Sequence, residues 1–207
     1  VIAEFGPGDS LGTGIAALLC GAQIYYALDL LDHTQLSRDL VMLDRLAELI
    51  QRRAPVPSPN EFPKLQPMLQ SYDFPYPLIA ESEQSHFRQR IEELRVDLAH
   101  RSQLSVKFIA PWNSQIGDLP NGTADLVVAQ ATMQYIHDLD ATYKVLRSCL
   151  KDGGILSLQI DFSAHETGQR WFDHWIYSDK VWDLINKTKP YRLSRHPLNM
   201  HVRTLSA

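Results

Sequence analysis

Nowhere does the chain carry an apolar run near the roughly 20 residues needed to cross a bilayer, so no membrane-spanning helix is expected. It has no stretch resembling a signal peptide, and it opens at Val1 without a methionine. Its first strand is therefore expected to be caught partway through, with an upstream portion missing. Cysteine is scarce: Cys20 and Cys149 lie inside apolar helical patterns, with no CxxC spacing to suggest a metal site or a disulfide. That usage fits reduced core thiols in a cytoplasmic protein. An excess of positive charge is also lacking, since 20 Lys and Arg stand against 24 Asp and Glu, for a net charge of -4. Without a basic run to supply a local field, nucleic acid is not an expected partner.

What is present is enough for one globular domain: 207 residues, 44% apolar and 21% charged. Residues 1–5 read as a buried strand. Ser10 is placed to cap a helix with Leu11, Ile15, Leu18 and Leu19 on its apolar face, and Gly21 suits the position past its end. "QIYYALDL" then reads as a second strand stopping at Asp29, completing a βαβ unit. Leu36, Leu40, Leu43, Ala47 and Ile50 mark one amphipathic helix, and Phe87, Ile91, Leu94 and Leu98 another. Between them, prolines from Pro55 to Pro77 interleaved with aromatic residues predict a long loop, either a lid or acceptor surface or a spacer. "LSVKFIA", "ADLVVAQA" and "ILSLQIDF" read as further strands, with a helix over "ATYKVLRSCL" and a turn at "KDGG". A short helix is expected over residues 178–187, with Trp182 and Ile185 in the core and a basic tail after it. Near-continuous apolar strands alternating with helices predict an α/β fold, a Rossmann-like doubly wound and mostly parallel sheet covered on both faces.

In such sheets ligands bind outside the carboxyl ends of the strands, where strand order reverses. The turn "GPGDSLG" and Asp29 both fall at such ends. Gly6 and Gly8 let a ligand lie against backbone, and Asp29 is placed to accept hydrogen bonds from both hydroxyls of a ribose. The spacing G-x-G-x-x-x-G departs from the dinucleotide pattern and also occurs with NADP. Glu4, an acid two residues before Gly6, suits an ammonium group better than a pyrophosphate.

On these residues the chain resembles the class I S-adenosylmethionine-dependent methyltransferases. "EFGPGDSLG" resembles the family's first motif and Asp29 its ribose acid; residues 123–161 resemble its fourth strand, following helix and fifth strand. The resemblance leaves out residues 31–103, read as a helical and proline-rich insertion of the single domain. It implies that Glu4, Gly6 and Gly8 surround the methionine part, that Asp29 holds the ribose, that Gln130 approaches the methionine part and the sulfonium, and that Ser10 and Leu30 also belong to the cofactor site. Trp112 would stack on adenine and Asn113 would accept its amino hydrogen, in place of the acid usual there. The family's terminal antiparallel strand pair is expected to lie beyond the chain.

Methyl transfer to a hydroxyl needs a base, and "IDFSAHETGQRWFDHWIYS" supplies the candidate His165. His174 and Trp175 read as residues that fix this loop. The leading reading is a small-molecule or saccharide acceptor, and "IDFSAH", "HWIYSDKVW" and "YRLSRH" also resemble methyltransferases of surface polysaccharide assembly, which implies a sugar hydroxyl. Two competitors stay open: an NADP-type oxidoreductase, for which no Tyr/Lys pair is found, and a catalytically silent binding domain.

Overall fold

The computed structural model describes residues 1–63, 68–76, 84–112, 119, 121–187 and 191–206, apart from the side chains at 84, 85 and 166. In chain order the elements are β1 (Ile2–Phe5), α1 (Gly12–Leu19), β2 (Tyr25–Leu28), α2 (Leu36–Gln51), α3 (Gln84–His100), β3 (Val106–Ile109), β4 (Ala124–Gln130), α4 (Leu139–Cys149), β5 (Leu150–Gln159), α5 (Asp179–Lys187) and α6 (Leu198–Ser206). The strands form one five-stranded sheet in the order β3-β2-β1-β4-β5, and every pairing is parallel. The Rossmann-like α/β fold expected from the alternating pattern is the fold observed.

Parallel strands buried on both faces need two helical layers. On one face Ile15, Leu18 and Leu19 of α1 pack with Leu43 and Ala47 of α2 and with Phe87, Ile91, Leu94 and Leu98 of α3. The helical part of residues 31–103 thus covers the sheet. On the other face Tyr143, Leu146 and Cys149 of α4 close over Ala3, Phe5, Tyr26, Leu28 and Val127. No helix among the described residues is long and apolar enough to cross a membrane.

Helix α1 ends as its glycine requires. Gly21 has φ +106°, Ala22 N–H donates to the Ala17 carbonyl at 2.9 Å, and Gly21 N–H donates to that of Leu18 at 3.2 Å. Gly14 answers a different need. A Cβ there would lie 2.1 Å from the ring of Tyr25, so only glycine lets α1 sit this close to β2.

Asp97 joins α3 to β3. It is 3% exposed, and its carboxylate accepts from the Ser102 hydroxyl at 2.9 Å and the Leu104, Ser105 and Val106 N–H groups at 3.1, 2.7 and 2.8 Å. Burial alone would raise its pKa, but these bonds outweigh it and hold the carboxyl below its usual value.

Two local expectations change. "KDGG" does not precede the last strand as a turn; it is absorbed into β5, where Leu150 to Ile155 spans the step that Ala124 to Leu126 makes on β4. Gly153, at φ +77°, carries the resulting bulge. The basic tail forms the helix α6, docked on α4 through His201, which is 2% exposed and has its Nδ1 2.8 Å from the Tyr143 hydroxyl. Arg147 donates to the Leu205 carbonyl at 2.8 Å.

Candidate functional site

Strand order reverses between β1 and β4, since the chain runs outward from β1 through β2 to β3 and then from β4 to β5. A cleft of about 620 Å³ opens there, the size of ordinary small-ligand sites. Phe5, Gly6 and Gly8 line it from the end of β1, Asp29 and Leu30 from β2, Trp112 from beyond β3, and Ala131 and Thr132 from β4. His33, Tyr135, His137, Tyr191 and Arg192 complete the lining.

The glycine turn is fixed by sterics and hydrogen bonds together. Gly6 has φ +73°, and a Cβ on it would lie 2.3 Å from Thr132 Oγ1. Gly8, at φ +67°, has no atom within 4 Å of where its Cβ would be, which leaves its backbone open to the cleft. Gly8 N–H donates to Asp29 Oδ2 at 3.0 Å, while Asp29 Oδ1 accepts from Leu30 N–H at 2.7 Å. The first amides of α1 are engaged by protein groups: Leu11 N–H reaches Asp39 Oδ1 at 3.4 Å and Gly12 N–H reaches Ser10 Oγ at 3.2 Å. Arg38 adds a bond to the Asp9 carbonyl at 2.8 Å and an ion pair with the Asp9 carboxylate. The start of α2 therefore straps the turn.

The cleft gathers five of the residues predicted for the cofactor: Gly6, Gly8, Asp29, Leu30 and Trp112. Three others sit elsewhere. Glu4 is 4% exposed beneath α1, with Tyr25 donating its hydroxyl proton to Oε2 at 2.5 Å. Burial pushes the Glu4 carboxyl above the usual range, and hydrogen bonds from Tyr25 and Thr13 partly offset that. Ser10 bonds the first amide of the helix, although Leu11 holds the cap position itself. Gln130 ends β4 with its side chain exposed and does not line the cleft. Asn113 lies outside the described residues.

Trp112 is only 3% exposed, its ring edge-on to Phe5 at 4.7 Å, so it offers little open face for stacking. Its indole N–H, buried in the cleft wall, has no hydrogen-bond partner among the described residues. His165 is displaced from the lining: its ring lies 6.0 Å from that of Tyr135, its Nε2 is 3.7 Å from Asp161 Oδ2, and its φ is +45°.

The cleft also holds groups that the sequence motifs did not single out. His33 Nε2 lies 2.7 Å from the Tyr191 hydroxyl, and the Tyr191 ring is 5.8 Å from that of Tyr135. The loop bearing His33 is held by Arg101, which pairs with Asp32 at 3.1 Å and donates to the Thr34 hydroxyl at 3.2 Å. Ala131 turns the chain at the end of β4 with φ +51°, a conformation that a non-glycine residue adopts at a cost. Among the described residues, none from 55–76 lines the cleft. Nor do they contain a group of three or more His, Cys, Asp or Glu that could hold a metal ion.

The fold and the cleft define an α/β protein of Rossmann-like architecture with a candidate ligand site at the carboxyl ends of its parallel strands. The chain matches no protein-family model and none of the curated proteins with which it was compared.

Proposed function

We propose that the chain is an S-adenosylmethionine-dependent methyltransferase acting on a hydroxyl oxygen of a small-molecule or saccharide acceptor. The observation that carries this reading is the state of the glycine turn. Asp29 and the open backbone of Gly8 face the cleft, whereas the amides of Leu11 and Gly12, which a pyrophosphate would need, are already bonded to Asp39 and Ser10. A nucleoside without phosphates fits this turn better than a dinucleotide does. The unpartnered indole N–H of Trp112 offers a donor to such a ligand.

Asp29 would hold the ribose, and Gly6, Gly8 and Leu30 would line its path. The bound cofactor supplies an electrophilic methyl group on a sulfonium, which leaves the protein to orient the acceptor, exclude water and take a proton. For the proton, the Tyr191 and His33 pair is better placed than His165, because both members line the cleft. Tyr191 oxygen would take the acceptor's proton as its own passes to His33 Nε2. His165, beside Tyr135, would support the wall.

Calorimetric titration with S-adenosylmethionine and, separately, with NADPH tests the reading. The expected result is micromolar binding of S-adenosylmethionine alone, weakened at least about tenfold by Asp29→Ala through loss of the ribose hydrogen bonds. Binding of NADPH in its place would overturn the assignment, and binding of neither would leave a silent domain.

A further inference from the structure

A second recess, of about 570 Å³, adjoins the cleft. The two share His137 and Arg192 on their linings, so one ligand can extend from the first into the second. We propose that this recess binds an oxyanion, a phosphate or carboxylate, carried by a polyhydroxylated methyl acceptor. The proposal rests on the methyltransferase reading only in calling that ligand an acceptor.

Its charge supports an anion. Lys187, Arg192 and Arg195 line the recess with one acid, Asp183. Arg195 is committed to the wall: it donates to the Tyr177 carbonyl at 2.8 Å, pairs with Asp179, and lies 5.3 Å over the Trp182 ring. Lys187 and Arg192 have no ion-pair partner among the described residues, and both are exposed on the recess. An arginine and a lysine converging on one cavity are the usual reader of phosphate or carboxylate, the first through its planar fork and the second as a point charge.

Its hydrogen-bonding capacity points to hydroxyls. Asn186 lines the recess at 5% exposure; its Nδ2 donates to the Leu193 carbonyl at 2.9 Å, but its Oδ1 has no partner among the described residues. A buried amide oxygen in that state favours a ligand that brings a donor, and an anion alone brings none. A ligand carrying both an oxyanion and hydroxyl groups satisfies Lys187, Arg192 and Asn186 together. The adjoining cleft wall of Tyr135 and Tyr191 then offers aromatic surface to the ring that bears them.

Glucose 6-phosphate, glucuronate and glucose serve as probes, titrated by calorimetry into the whole chain and into the double variant Lys187→Gln, Arg192→Gln. Both substitutions fall on exposed side chains, so the core is not disturbed. At least one of the anionic sugars should bind about tenfold or more tightly than glucose, and the double variant should lose that advantage. A preference for glucose 6-phosphate identifies phosphate as the group, and a preference for glucuronate identifies carboxylate. Equal binding of all three probes, no binding of any up to about 10 mM, or an advantage that survives in the double variant would overturn the proposal. Titration with S-adenosylmethionine reads the cleft separately, so failure of the methyl-donor assignment is distinguishable from failure of this one.

Discussion

On one side of the cleft, the turn after β1 is held by bonds that repeat within a short stretch of chain: Gly8 to Asp29, Leu11 to Asp39, Gly12 to Ser10 and Arg38 to Asp9. Elsewhere in the lining, Tyr135 and Tyr191 meet through rings 5.8 Å apart, Tyr191 bonds His33, and Ser194 N–H donates to the Gln134 carbonyl at 2.7 Å, joining the two segments. The first region is held by side chains and amides drawn from residues 8–39, the second by contacts between segments far apart in sequence. On the proposed reading, the first would hold the methyl donor and the second the acceptor.

Substitutions separate the contributions of the two regions. The largest effect is expected at the base of the first region, where Gly14→Ala drives a methyl group into the Tyr25 ring, itself fully buried and bonded to Glu4. Overpacking here should cost about 3 kcal/mol and lower the melting temperature by roughly 6 to 10 °C. A melting temperature within about 2 °C of the parent would show that α1 can shift away from the sheet.

In the second region, Tyr191→Phe and His33→Gln should each lower turnover of an identified acceptor about 100-fold, with affinity for S-adenosylmethionine held within about twofold. His165→Ala should reduce turnover less than either. The reverse ranking would return the base to His165.

The smallest effect is expected at α6. Burial pushes the Tyr143 phenol up to about 12, so it stays protonated beside His201 Nδ1 at 2.8 Å. Burial, and then the charge of His196, hold the His201 pKa below its ordinary value, so the folded chain binds fewer protons than the unfolded chain just below pH 6.5. Stability should therefore fall as pH drops below about 6.5, by no more than about 1.4 kcal/mol per pH unit for each such group. His174, also lowered chiefly by burial, adds the same sign. Denaturant titrations at several pH values should show a shallower slope for His201→Gln, and an unchanged slope would remove His201 from the effect.

The glycine turn is legible in the sequence because most of its determinants, Thr132 against Gly6 excepted, are local. Glycines at left-handed positions, the Gly21 helix end and an acid closing β2 are all read within about thirty residues, and the apolar periodicity of α2 and α3 names most of the side chains they bury. What escaped was whatever depends on distant partners. Nothing in "LLDHTQ" announces that His33 will meet Tyr191, which lies 158 positions further on. Gly14 looks like an ordinary helical glycine until Tyr25 is seen packed against it. Helix α6 buries a histidine while Leu198 and Val202 remain exposed, so its apolar pattern carried little signal. The spacing of Glu4 from Gly6 suggests a side chain facing the ligand, but strand alternation turns it under α1, toward Tyr25.

The bulge at Gly153 bears on colloidal behaviour. Among the described residues β5 pairs only with β4, which leaves its outer backbone groups available as a template for another strand. Residues 151–154 are bent by the bulge and carry Lys151 and Asp152, both exposed, which makes that end a poor template. From Ile155, 63% exposed, to Gln159 the strand pairs with β4 in regular register, so self-association through this sheet would begin there. A lysine placed at Ser157 would be the most direct way to raise the concentration at which the protein stays dispersed.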